Sequence, residues 1–158
     1  MKVKKIIVST TEHDIDITGA TLFTIEEAKK LPEKSRKYNK WWWLKSPCGF
    51  DSYHSSCVYT DGFISDFGEY VNYNCVACRP VLTISNLESA GLKIGDTFEF
   101  GGQKFEIISD DKAFCLGDIG TCVFRKDNEA PDANVYEKSD IKKYIDDWFK
   151  NSKQENEK

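Results

Sequence analysis

The chain of 158 residues has two histidines, one methionine and four prolines, and between Cys48 and Asn74 it has neither lysine nor arginine. His13 and His54 have no sequence neighbour that would complete a nucleophilic triad or a metal-ligand pair. There is no glycine-rich phosphate loop and no paired-carboxylate motif. The basic start, residues 1–8, carries an apolar run far too short for a signal-peptide core or a membrane span, so it is expected to be a strand of a cytoplasmic protein. The net charge of −4 and pI near 5.3 come from charges mixed along the chain, which argues against direct nucleic-acid binding. Six cysteines without an export signal are expected as reduced thiols. The expectation is of no enzyme, no cofactor and no metal.

What the chain does have is aromatic weight, 13% of its residues, and a length suited to one domain with a proper core. The organising stretch is residues 41–80. Trp41, Trp42 and Trp43 cannot share one face of a strand, so at least one is core and at least one sits at a rim. Pro47 stops that run, and Gly49, Asp51, Ser52, Ser55 and Ser56 have loop composition. A strand resumes at residues 57–60. Asp61-Gly62 is the clearest turn. A two-residue turn would pair Tyr59 with Ile64. A three-residue loop with Gly62 left-handed pairs Val58 with Ile64 and Tyr59 with Phe63, and is preferred because it sorts aliphatics from aromatics. On that register Tyr59, Phe63 and Phe67 face outward.

Trp42-Trp43-Leu44-Lys45-Ser46-Pro47, the valine and Asp-Gly hairpin, and Cys78-Arg79-Pro80-Val81-Leu82 resemble a family of uncharacterised bacterial and phage domains. Its signature runs W-W-L-R-S-P, V-x-x-D-G, G-V-R-P-A-L, and Lys45 and Ala77-Cys78 are mild departures. The family is similar to the C-type-lectin-like fold of formylglycine-generating enzymes and of retroelement-diversified variable proteins. Residues 22–28 resemble the segment before the tryptophans. Residues 95–102, 105–108, 113–116 and the closing helix resemble the family's N-terminal half, which here comes last, as in a circular permutation. The resemblance implies a single compact α+β domain over 1–150, with a twisted, mainly antiparallel sheet and two helices. The family's C-terminal half would occupy 20–86 and its N-terminal half 93–150, with 151–158 a charged tail.

Along the rest of the chain, Ile15 and Ile17 suggest a short strand, and Thr24 with Glu27 a capping box that opens a helix ending near Pro32. The basic run Lys34, Arg36, Lys37, Lys40 reads as a solvated linker rather than a phosphate patch. Residues 75–84 read as an interrupted strand, 98–108 as a hairpin about Gly101-Gly102, and 113–116 and 121–124 as strands. Ser139 should cap a helix whose Ile141, Tyr144, Ile145, Trp148 and Phe149 form one stripe.

Cys75 and Cys78, with Cys48 and Cys57, have the makings of a four-thiolate zinc site. The eight-residue gap and the opposed faces of Cys75 and Cys78 favour buried thiols over zinc or a redox pair. Arg79 before Pro80 should be satisfied by a carboxylate or by carbonyls, in a structural role like that of the three tryptophans. The lysine- and arginine-free middle, residues 51–73, has the composition of binding loops as well as of a structural hairpin. Asp51, Tyr53, His54, Tyr59, Phe63, Asp66, Phe67, Glu69, Tyr70 and Tyr73 are the candidate contacts for a protein partner. A host nuclease complex is one such partner: a family common in mobile elements could supply an inhibitor of the anti-CRISPR kind, whose acidic groups occlude a basic channel. A formylglycine-generating-like enzyme is the rival class.

Overall fold

The computed structural model of the chain describes residues 3–8 and 11–156, with side chains from 14 to 154. In chain order its first elements are β1 (Val3–Val8), β2 (Thr11–Ile15), β3 (Ile17–Thr21), α1 (Ile25–Lys29), α2 (Glu33–Arg36), β4 (Trp42–Pro47) and β5 (His54–Val58). There follow β6 (Ile64–Tyr70), β7 (Val81–Ile84), β8 (Thr97–Phe100), β9 (Gln103–Ile107), β10 (Lys112–Cys115) and α3 (Asp140–Asn156). The class is α+β with antiparallel strand pairs throughout, but the strands make three sheets instead of one. The chain divides into two compact units, each assembled from distant segments: residues 1–21, 79–118 and 145–158, and residues 22–78 and 119–144. Residues 86–95 lie inside the first unit, and the expected halves 20–86 and 93–150 cut across both.

In the first unit, β3, β7, β10, β9 and β8 form a five-stranded sheet in that order, with β1 and β2 as a separate ribbon. The β8–β9 turn forms where Gly101 (φ +60°) and Gly102 (φ +80°) adopt the left-handed conformation that a two-residue hairpin loop demands. Period-two alternation then sends Phe98, Phe100, Phe105 and Ile107 into a core shared with Ile15, Ile17, Leu82, Ile84 and Ala113. Trp148 of α3 closes that core edge-on to Phe100 at 5.7 Å and donates from Nε1 to the Gly101 carbonyl at 3.2 Å. A Cβ on Gly101 would lie 2.3 Å from Ser152 Oγ, so glycine is needed here for the approach as well as the turn.

Four sequence expectations are corrected. The tail from 151 remains helical to Asn156, because Ser152 is buried and donates to the Trp148 carbonyl; residues 157 and 158 lie outside the described residues. The strand over 75–84 is confined to Val81–Ile84, since Pro80 lacks a ladder donor. Residues 121–124 contribute an isolated bridge, Thr121 to Ala77, and no strand. The basic linker is in part helical: α2 follows Pro32, and its Arg36 donates to the carbonyls of Gly62 (2.9 Å) and Leu31 (2.9 Å).

The second unit holds the sheet β4–β5–β6 with α1 and α2. Thr24 and Glu27 make the capping box reciprocally, at 3.1 and 2.9 Å. Trp42 and Trp43 are buried and Trp41 is at the rim, and all three are tied in. Trp42 Nε1 donates to the Arg36 carbonyl at 3.0 Å, Trp43 Nε1 to the Cys122 carbonyl at 2.9 Å, and the Trp41 carbonyl accepts the Ala77 amide at 2.7 Å. The tryptophan segment runs beside the residue before Cys78, through the parallel bridge of Trp42 and Ala77. Among the described residues, no helix is long and apolar enough to cross a membrane.

Candidate interaction surface

The middle strand β5, His-Ser-Ser-Cys-Val, is buried at every position. Its serine content reads as loop, yet each hydroxyl has a partner: Ser56 Oγ donates to the Ser46 carbonyl at 2.6 Å, and Ser55 Oγ to the same oxygen at 3.3 Å. Satisfied hydroxyls remove the cost that keeps polar residues out of a core. Both partner strands bulge against β5. On β4 the register jumps from Trp43–Cys57 to Pro47–Ser55, and on β6 from Ser65–Cys57 to Glu69–Ser55.

The β6 bulge builds the surface. Gly68 (φ +71°) sits so close to β5 that a Cβ there would lie 1.7 Å from the Ser55 carbonyl oxygen, and its amide donates to Ser65 Oγ at 2.8 Å. The bulge breaks the alternation of faces, so the consecutive residues Asp66 and Phe67 are both exposed.

Phe67 joins an array of rings. Its centroid is 6.2 Å from Phe50 and 4.3 Å from His54, and His54 lies 4.3 Å from Tyr70 and 5.0 Å from Tyr53. Tyr53 and Tyr70 stack at 6.2 Å. Phe50, at 77% exposure, is the most open of these rings, and Tyr53, Phe67 and Tyr70 are all above 40%. His54 is the exception. It is buried beneath Tyr53, Phe67 and Tyr70, so it is a support of the face and not a contact on it.

Asp51 holds that support. Its carboxylate accepts from His54 Nδ1 at 2.8 and 3.0 Å, which places the ring proton on Nδ1, and Oδ1 also accepts the amides of Tyr53 and His54. Asn134 Nδ2 donates to the carbonyls of Asp51 (2.8 Å) and His54 (2.9 Å) and tethers the loop from 80 residues away. Two residues before Asn134, Asp132 meets the guanidinium of Arg125 at 3.3 Å, and the Arg125 amide donates to the Val71 carbonyl.

At the other end of the hairpin the preferred register is found: Val58 pairs with Ile64, the Tyr59 amide donates to the Phe63 carbonyl, and Gly62 has φ +87°. Phe63 is well exposed, as expected, while Tyr59 is half-buried against Trp41 at 3.9 Å. Tyr73 is exposed and Glu69 half-buried; Glu69 Oε1 accepts the Tyr70 amide at 2.9 Å. Two participants were missed in the sequence. Phe50 lies one residue outside the window considered and could have been read from it, whereas nothing local signals Asn134.

The cysteines are dispersed. Cys75 is exposed and Cys78 buried, and among the described residues no His, Cys, Asp or Glu side chains cluster to hold a metal ion. Burial, with the charge of Glu69 adding to it, pushes the Cys57 thiol up to about 12. Burial likewise pushes the Cys115 thiol up to about 12, against the pull of a Gly117 backbone hydrogen bond and Arg79. Neither has the depressed thiol of a nucleophile. Arg79 has the structural setting expected: it is buried, donates from Nε to the Gly117 carbonyl at 3.2 Å, and lies over the Phe114 ring at 4.3 Å. The carbonyl of its buried neighbour Pro80 accepts the Cys115 amide. The side chain of His13 lies outside the described residues.

The family model for a domain of unknown function, DUF6273, matches residues 7–86, just over half of the chain. The chain belongs to the DUF6273 family. The DUF6273 match contains the three tryptophans, the bulged hairpin and the aromatic array, and it ends after β7. No curated protein and no solved structure matches the chain.

Proposed function

We propose that this DUF6273 protein is a non-enzymatic, cytoplasmic protein-binding module of bacterial or phage origin that engages a partner through the face of Phe50, Tyr53, Phe67 and Tyr70. The observation that carries the reading is that these four exposed rings form one array over a buried, hydrogen-bonded His54. Aromatic rings held on a rigid base are what interface hot spots use, because little side-chain entropy remains to be lost on binding. The His54–Asp51 pair has the elements of a general base, but its ring is roofed by aromatics, which favours a supporting role. The tryptophan, Asp-Gly and Arg-Pro motifs support a C-type-lectin-like relationship with the family halves in permuted order.

A narrower reading, a mobile-element inhibitor that occludes a host nuclease, draws on Asp61 and Asp66, exposed among these rings. The α2 side of the hairpin tip is not purely acidic, since the Lys37 side chain lies close to Gly62. Affinity capture from the source cells, with wild type compared with a Phe50→Ser/Phe67→Ser/Tyr70→Ser variant, tests the main reading. Loss of the captured protein is expected, and its retention by a folded variant rejects the face as the binding site.

A further inference from the structure

Within the same unit, Trp41, Glu69, Tyr73, Val76 and Cys75 line an open pocket of about 370 Å³, with Lys40 the one cation on it. That volume is at the small end of ligand sites and suits one long side chain. Two of its walls are held in place. The Trp41 indole is stacked on Tyr59, whose hydroxyl donates to Ser65 Oγ at 3.1 Å, and the buried Val76 belongs to the segment bonded to the Trp41 carbonyl. Glu69 is the one carboxylate among the lining residues, and its backbone is set by the bulge that also exposes Phe67.

We propose that this pocket receives an arginine side chain of the partner protein, an inference that rests on the protein-binding reading. An indole and a phenol ring offer negative π faces, and a guanidinium is the cation that stacks on such faces while forking onto a carboxylate. Carbonyl groups alone would serve a neutral amide equally well, and the carboxylate of Glu69 is what selects charge. The absence of lysine and arginine from 48 to 74 means the hairpin itself supplies no competing cation. Lys40 lies on the same rim, exposed, and its positive charge opposes binding.

The test titrates the full chain with acetyl-Gly-Arg-Gly-amide and with the same peptide carrying citrulline, the uncharged isostere. Chemical shifts are followed at the Trp41 indole N–H and at the amides of Glu69 and Tyr73. The arginine peptide should move these signals and slow alkylation of exposed Cys75 by iodoacetamide, and the citrulline peptide should do neither. Glu69→Gln should weaken binding about tenfold, Tyr73→Leu, at an exposed site, about fivefold, and Lys40→Ala should strengthen it. Equal response to the two peptides, no response to either, or unchanged affinity in Glu69→Gln overturns the proposal. The protein-binding reading would survive any of these results, because it falls only if the Phe50/Phe67/Tyr70 variant keeps its partner.

Discussion

The two units reverse each other's chemistry. In the unit of 1–21, 79–118 and 145–158 the interior is phenylalanine and aliphatic, with Arg79 and Ser152 its buried polar residues among those described. In the unit of 22–78 and 119–144, His54, Ser55, Ser56, Ser65, Asn134 and Ser139 are buried, while Phe50, Tyr53, Phe63, Phe67, Tyr70 and Tyr73 stand exposed. A sequence selected for stability alone would place rings inside and hydroxyls outside. Departures from that rule concentrate where function sets the surface, which is the ground for proposing that the second unit is the one that binds.

The sharpest contrast comes from removing one ring in each unit. Phe105→Ala should cost about 3–5 kcal/mol by leaving a cavity among Phe98, Phe100 and Trp148, whereas Phe67→Ser, at a half-open ring, should cost only about 1 kcal/mol, mostly its contact with His54. Urea unfolding measures both, and similar costs would erase the distinction. Glycines give the next comparison. Gly68→Ala should cost about 3 kcal/mol or more, because it adds a clash with the Ser55 carbonyl to a left-handed φ. Gly102→Ala, with open space around it, should cost only the conformational penalty of about 1–2 kcal/mol.

Asn134→Ala should cost about 2 kcal/mol by orphaning carbonyls in the 48–54 loop, with faster amide exchange at Tyr53 and His54. If exchange there is unchanged, Asn134 does not hold the loop. A pH effect is common to both units. Unfolded, Cys57 and Cys115 lose their protons near the ordinary 9.0; folded, they hold them up to about 12. Over that interval the unfolded state binds fewer protons, so stability is full below pH 9 and falls as pH rises, by at most about 1.4 kcal/mol per pH unit for each thiol. Cys57→Ala and Cys115→Ala should each flatten the slope of melting temperature against pH.

Local chemistry was legible in the sequence wherever a residue acts on its near neighbours. The Thr24–Glu27 box, the Gly62 and Gly101-Gly102 turns, the Ser139 cap and the division of the tryptophans between core and rim all follow from such rules. What was not legible depends on distant partners. Ser55 and Ser56 read as loop because the carbonyl that absorbs them belongs to Ser46 on another strand, and His54 looked like a surface ligand because its aromatic roof comes from β6. The bulge at 66–68 is legible only once Gly68 is seen against Ser55. Residues 121–124 have strand composition, but beyond the Thr121 bridge they find no ladder to join.

The central claim is that binding resides in the aromatic face of the second unit, and one measurement tests it most directly. The captured partner is titrated by calorimetry with the wild-type chain, with Phe50→Ser/Phe67→Ser/Tyr70→Ser, and with Ile94→Ser/Leu116→Ser, which removes exposed apolar side chains of the first unit. A loss of about a hundredfold or more in the first variant, with affinity in the second within about twofold of wild type, is the predicted result. The opposite pattern, or equal losses in both variants, would contradict it.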